Sequence, residues 1–93
     1  RYTEARDLLE KGTQKFPSDV QILYQLGTVY DQLEQTDKTV EKMEKLVELD
    51  KNHVEGLNYL AYLYADKTKN LEVAEKLARR ALSLRPNDGF ILD

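Results

Sequence analysis

Apolar residues recur every three or four positions along this chain and divide it into short amphipathic segments. Val20, Leu23, Leu26, Gly27, Tyr30 and Leu33 form one stripe. Val40, Met43, Leu46 (with Val47) and Leu49 form a second, and Val54, Leu57, Leu60, Ala61 and Tyr64 a third. Leu71, Ala74, Leu77, Ala78, Ala81 and Leu84 form a fourth, and a shorter stripe, Ala5, Leu8, Leu9 and Gly12, precedes them all. No useful length alternates with period two, so the pattern predicts helices and no strands. The predicted spans are Tyr2–Lys15, Asp19–Glu34, Asp37–Asp50, His53–Asp66 and Leu71–Leu84, with a further start at Asp88.

The polar residues between the stripes supply starts and stops. Ser18 stands three residues before Gln21, and Asn52 three before Glu55; both read as capping boxes that satisfy the free amides of a helix start. Thr36 or Asp37, Asn70, and Asn87 or Asp88 are the expected caps of the other helices. Pro17 and Pro86 each follow a helix that cannot run through them.

The segments also repeat. Leu26-Gly27-Thr28-Val29-Tyr30 returns as Leu60-Ala61-Tyr62-Leu63-Tyr64, a period of 34 (60 minus 26). The start signals Ser18, Asn52 and Asn87 are separated by 34 (52 minus 18) and 35 (87 minus 52), the extra residue falling in Lys67-Thr68-Lys69. Each unit is therefore a pair of helices, A and B, and the short links make the two antiparallel. A single pair cannot bury its own stripes, so the units must stack. The expected architecture is all-α, an α-solenoid of antiparallel helix pairs. Residues 1–17 are a lone helix B, 18–51 and 52–86 are full units, and 87–93 begin another helix A.

Composition narrows the chemistry. With 41% hydrophobic and 33% charged residues in 93, the chain is a folding one and not a disordered one. No run approaches the ~18 apolar residues of a membrane span. The absence of cysteine excludes disulfides, thiolate catalysis and cysteine-bound zinc, and leaves the compartment open between cytoplasm and periplasm. The formal charge of −3 is a poor match to nucleic acid, which needs a dense basic face. No glycine-rich phosphate loop, nucleophile elbow or two-histidine helix motif is present. His53 is the only histidine, and Glu55, two residues on, is expected to point elsewhere on the helix. The sequence is read as non-catalytic, without metal or cofactor.

The 34-residue pairs resemble the tetratricopeptide repeat over the whole chain. The residues that carry the resemblance are Leu23, Leu26, Gly27 and Tyr30, their counterparts Leu57, Leu60, Ala61 and Tyr64, and then Ala74, Ala78, Ala81 and Pro86. Ala5, Leu9, Gly12 and Pro17 sit at the same spacings in the opening helix. These read as packing residues: Gly27 and Ala61 are small where helix A approaches helix B, as are Ala74 and Ala81 on the opposing surface. The middle helix B departs from the family pattern. Thr39 and Leu46 stand where alanine is preferred and Lys51 where proline is, so the larger groups are expected to push the helices slightly apart. The style of repeat is similar to that of bacterial members.

In that family the helix A residues left over from packing line a groove for a peptide or partner helix. Carried over by resemblance, these are Gln21, Tyr24, Thr28, Asp31 and Gln32, then Glu55, Asn58, Tyr62, Ala65 and Asp66. Tyr24 and Tyr62 offer stiff amphipathic area of the kind common in binding hot spots, and Asn58 both donates and accepts. Members that capture the C-terminal carboxylate of chaperones use a groove lysine with asparagines. Here Tyr24 and Thr28, or Asn58 and Tyr62, stand in those places, so such a carboxylate is not the expected ligand. Asp31, Glu55 and Asp66 suit a neutral or basic segment instead.

Lys76, Arg79, Arg80 and Arg85 gather on a helix B, with Glu72–Lys76 and Glu75–Arg79 spaced i,i+4 as are Glu41–Lys45 and Asp7–Lys11; this reads as a solvated, salt-bridged face. The chain opens in a helix B and closes just inside a helix A, so the expectation is a piece of a longer array whose Leu8, Leu9, Phe90, Ile91 and Leu92 invite self-association. Three readings follow: a protein- or peptide-binding scaffold, a structural or oligomerising segment, and an RNA-binding helical repeat, which the acidic balance disfavours.

Overall fold

The apolar stripes become five helices in the computed structural model, which describes residues 1–67 and 70–84. They are α1 (Tyr2–Lys15), α2 (Val20–Gln32), α3 (Thr36–Leu49), α4 (Val54–Asp66) and α5 (Leu71–Leu84). The predicted spans agree with these, the ends differing by two residues at most; the predicted start at Asp88 lies outside the described residues. No strand occurs among the described residues. The fold is all-α, with consecutive helices packed in pairs, and it divides into two compact units at the Lys51–Asn52 bond.

In the first unit α2 and α3 face each other through Leu23, Leu26, Tyr30, Met43 and Leu46, none more than 2% exposed. The expected need for a small residue at Gly27 is met by a close approach: a β-carbon there would lie 2.6 Å from the Met43 methyl. The two family-atypical residues of α3, Thr39 and Leu46, are both wholly enclosed. Thr39 satisfies its hydroxyl within its own helix by donating to the Gln35 carbonyl at 3.2 Å. α1 packs on α2 with Gly12 against Ile22, where an added β-carbon would stand 3.4 Å from the Ile22 side chain. None of its own residues is fully buried, and Leu8 is 70% exposed.

Two backbone hydrogen bonds close the turn from α2 to α3. Glu34 lies at φ 59°, in the left-handed region. Its N–H donates to the Asp31 carbonyl at 3.0 Å, and the Gln35 N–H donates to the Tyr30 carbonyl at 2.9 Å. That pair of bonds is the Schellman motif, built here without its usual glycine.

In the second unit α4 buries Val54, Leu57, Leu60, Ala61 and Leu63, and α5 buries Ala74 and Ala81. Ala78, expected in the packing set, is exposed instead. The packing line on α5 follows the seven-residue step from Ala74 to Ala81, and Ala78 falls beside it. Pro86 lies outside the described residues.

The caps correct the sequence reading in three places. The cap of α2 is Asp19, not Ser18: its carboxylate accepts from the amides of Gln21 at 3.0 Å and Ile22 at 3.2 Å. The cap of α4 is His53, not Asn52: its Nδ1 accepts from the Gly56 amide at 2.9 Å. In both cases the residue with the extended backbone that a cap requires lies one position later than the capping-box pattern suggested. α3 starts at Thr36 behind Gln35, with no side-chain cap, so neither Thr36 nor Asp37 serves. Asn70 does lie where expected, its Oδ1 3.4 Å from the Val73 amide at the start of α5. Asn87 and Asp88 fall outside the described residues.

Candidate functional site

Helical periodicity sorts the groove candidates onto one face in each unit. On α2, Gln21, Tyr24, Thr28 and Asp31 step by three, four and three residues, with Gln32 beside them. Gln21 and Gln32 are exposed, while Tyr24, Thr28 and Asp31 are half-buried. Thr28 turns its hydroxyl back to the Gln25 carbonyl at 2.7 Å, which spends its donor within the helix.

On α4, Glu55, Asn58, Tyr62 and Asp66 form the matching line, with Ala65 beside it. Glu55, Asn58 and Asp66 are exposed, and Tyr62 is 53% exposed despite its size. This line presents an aromatic ring, a carboxamide and two carboxylates to solvent. It offers hydrogen bonding in both directions and favours positive or neutral groups. Asp66 is also paired with its neighbour Lys67 at 3.7 Å.

The basic face of α5 is partly neutralised. Glu75 and Arg79 form the expected i,i+4 pair, with Arg79 Nη2 2.8 Å from Glu75 Oε2. Asp7 departs from expectation and pairs with Arg6 at 3.1 Å rather than with Lys11. Arg80 reaches back to the link before α4 and donates to Asn52 Oδ1 at 2.9 Å. So Asn52, read from sequence as a cap, holds α5 to the start of α4 instead.

His53 was the residue that sequence reasoning left without a role. Its side chain is 15% exposed, its Nδ1 caps α4, and Glu55 Oε1 lies 3.9 Å from the same nitrogen. The expectation that Glu55 points elsewhere fails because His53 precedes the helix and is not subject to its periodicity. The only signal in the sequence was position, since histidine is not among the usual caps.

A shallow recess in the first unit is lined by Arg6, Asp7, Glu10, Tyr30, Gln35 and Lys38. Its charges are of both signs, and the Lys38 ammonium lies 5.8 Å from the Tyr30 ring centroid, within cation–π range. No cluster of three or more potential metal-binding side chains occurs among the described residues, and none of the described helices is long and apolar enough to cross a membrane.

Known proteins give this arrangement its context. The tetratricopeptide repeat family model matches residues 20–53 and 54–88. A TPR repeat-containing protein of Pseudomonas aeruginosa is 24% identical over 90 residues, which is 97% of this chain but 15% of that protein. Among solved structures, a MamA RS-1 double mutant superposes with a TM-score of 0.86 at 28% identity, over 95% of this chain and 49% of that one. Residues 41 to the end of MamA from Desulfovibrio magneticus RS-1 give a TM-score of 0.84 at 26% identity, over the same 95% and 49%. The chain thus spans about half of these solved chains and a smaller part of the Pseudomonas protein.

Proposed function

The chain belongs to the tetratricopeptide repeat family, and we propose that it is a non-catalytic scaffold that holds a peptide or partner helix on the free faces of its A helices. Membership supports the coarse part, a protein-interaction scaffold. The finer part rests on one observation: Tyr62 keeps 53% of its surface exposed on a line with Asn58, Glu55 and Asp66. A large aromatic left in water beside groups that can bond a peptide backbone is the composition of a binding hot spot.

The α2 line of Gln21, Tyr24, Thr28, Asp31 and Gln32 is the corresponding candidate line of the first unit. Asp31 on the first line and Glu55 and Asp66 on the second, with no lysine or arginine on either, direct each line toward a neutral or basic segment and away from a terminal carboxylate. At pI ≈ 5.2, nucleic acid is not an expected partner.

The test is the Tyr24→Ala/Tyr62→Ala double variant. Capture from lysate followed by mass spectrometry should lose specific partners, while circular dichroism shows helix content retained. An unchanged set of captured proteins rejects the reading.

A second reading, self-association, draws on α1 and α5, where Leu8 is 70% and Leu71 66% exposed. Light scattering should then show mass rising with concentration; a monomer at high concentration rejects it.

A further inference from the structure

We propose that α5 carries a self-complementary face on which a second copy of this chain docks antiparallel, with Leu71 against the partner's Leu82 and Glu72 beside the partner's Arg79. The proposal rests on the second reading above, self-association, and adds the surface and the register.

Exposure defines the face. α5 buries Ala74 and Ala81 in its packing with α4. Leu71, Glu75, Ala78 and Leu82 step by four, three and four residues, which keeps them in one line beside that buried pair. All four are exposed, Leu71 by 66% and Leu82 by 51%. A step of four, three and four is the spacing of a seam between paired helices. The two leucines stand at its ends, about 16 Å apart at the rise of an α-helix, with the small Ala78 between them.

Charge identifies the occupant. Exposed Glu72 and Glu75 lie in the first half of α5, and exposed Arg79 and Arg80 in the second. A parallel copy would set like charges side by side. An antiparallel copy sets acid beside base, and two-fold symmetry makes each such contact occur twice. In the register that joins Leu71 to the partner's Leu82, Glu75 faces the partner's Ala78. Glu72 and Arg79 flank the seam on one side, where charged pairs set helix orientation. Glu75 already holds the Arg79 guanidinium in place, with Nη2 at 2.8 Å and Nε at 3.2 Å from its Oε2, and the Arg79 side chain is 77% exposed. Ala74 and Ala81 border the other side and are small enough to let a second helix approach. Arg80 turns away from the seam to Asn52 Oδ1 at 2.9 Å.

Sedimentation equilibrium of the 10.8 kDa chain tests this. A single helix pair is smaller than a standard interface, so concentrations from about 10 μM to about 1 mM cover the expected association. The average mass should rise toward that of a dimer. Leu82→Ala should weaken the dimer about tenfold or more, because both leucine contacts are lost together. Glu72→Arg and Arg79→Glu should each weaken it about tenfold, since like charges then meet at two places. An equimolar mixture of these two variants should recover the dimer, because every flanking pair is again of opposite sign. Circular dichroism should show unchanged helix content throughout. A wild-type monomer at the highest concentration overturns the proposal together with the self-association reading. A dimer that all three variants leave intact, or that Leu8→Ala weakens instead, overturns the proposal and leaves self-association to another face. Single charge variants that weaken the dimer without recovery on mixing overturn the antiparallel register.

Discussion

The Met43 methyl occupies the space that a side chain at Gly27 would need, 2.6 Å from an ideal β-carbon. Alanine at position 27 must therefore displace the end of Met43, which is itself wholly buried. Overpacking of this kind costs ~1–3 kcal/mol, and the better helix propensity of alanine returns ~1 kcal/mol. Gly27→Ala should be destabilising by about 1 kcal/mol in denaturant unfolding. Gly12→Ala, where the nearest atoms would be 3.4 Å away, should be neutral or gain a few tenths of a kcal/mol.

Leu46 stands where the family prefers alanine, yet it has no exposed surface. The packing of this chain has been built around it. Leu46→Ala should cost ~2–5 kcal/mol despite moving the sequence toward its relatives. A loss under 1 kcal/mol by urea melts would mean that α2 and α3 close up around the smaller residue.

Asp19 carries two amide bonds at the start of α2 and Ser18 carries none of the cap's bonds. Asp19→Ala should lose ~1 kcal/mol and Ser18→Ala should fall within the ~0.5 kcal/mol scatter of surface changes. Thermal melts of the two single variants separate these outcomes.

Glu34 holds a left-handed backbone at φ 59°. For an L-residue that conformation costs ~1 kcal/mol, and glycine is free of it. Glu34→Gly should raise Tm, by less than the ~4 °C that the full strain is worth, because glycine also adds freedom to the unfolded chain. Glu34→Val, β-branched, should lower Tm; calorimetry of the pair checks the sign.

Most of the fold was legible because apolar spacing reports helix faces directly. Leu23, Leu26 and Tyr30 fall on one predicted stripe and Met43 and Leu46 on the next, and all five are buried. The caps were less legible. The capping-box pattern cannot choose between adjacent residues, and Asp19 and His53 take the role through a backbone geometry that spacing does not encode. Ala78 was misplaced because a seven-residue packing line and a four-residue step differ by only part of a turn. The candidate binding lines on α2 and α4 came from resemblance. What the sequence alone could not supply was their degree of exposure, which sets Tyr62 apart from half-buried Tyr24.

The turn at Leu33–Gln35 has a practical consequence. Its two closing bonds run between backbone atoms, and Glu34 already bears the left-handed strain with its side chain in solvent. An unbranched replacement inherits that strain without adding to it. Since the chain contains no cysteine, Glu34→Cys would place a single thiol at the link between α2 and α3. A fluorophore or spin label attached there would report on the joint between two packed helices while leaving both proposed binding lines untouched.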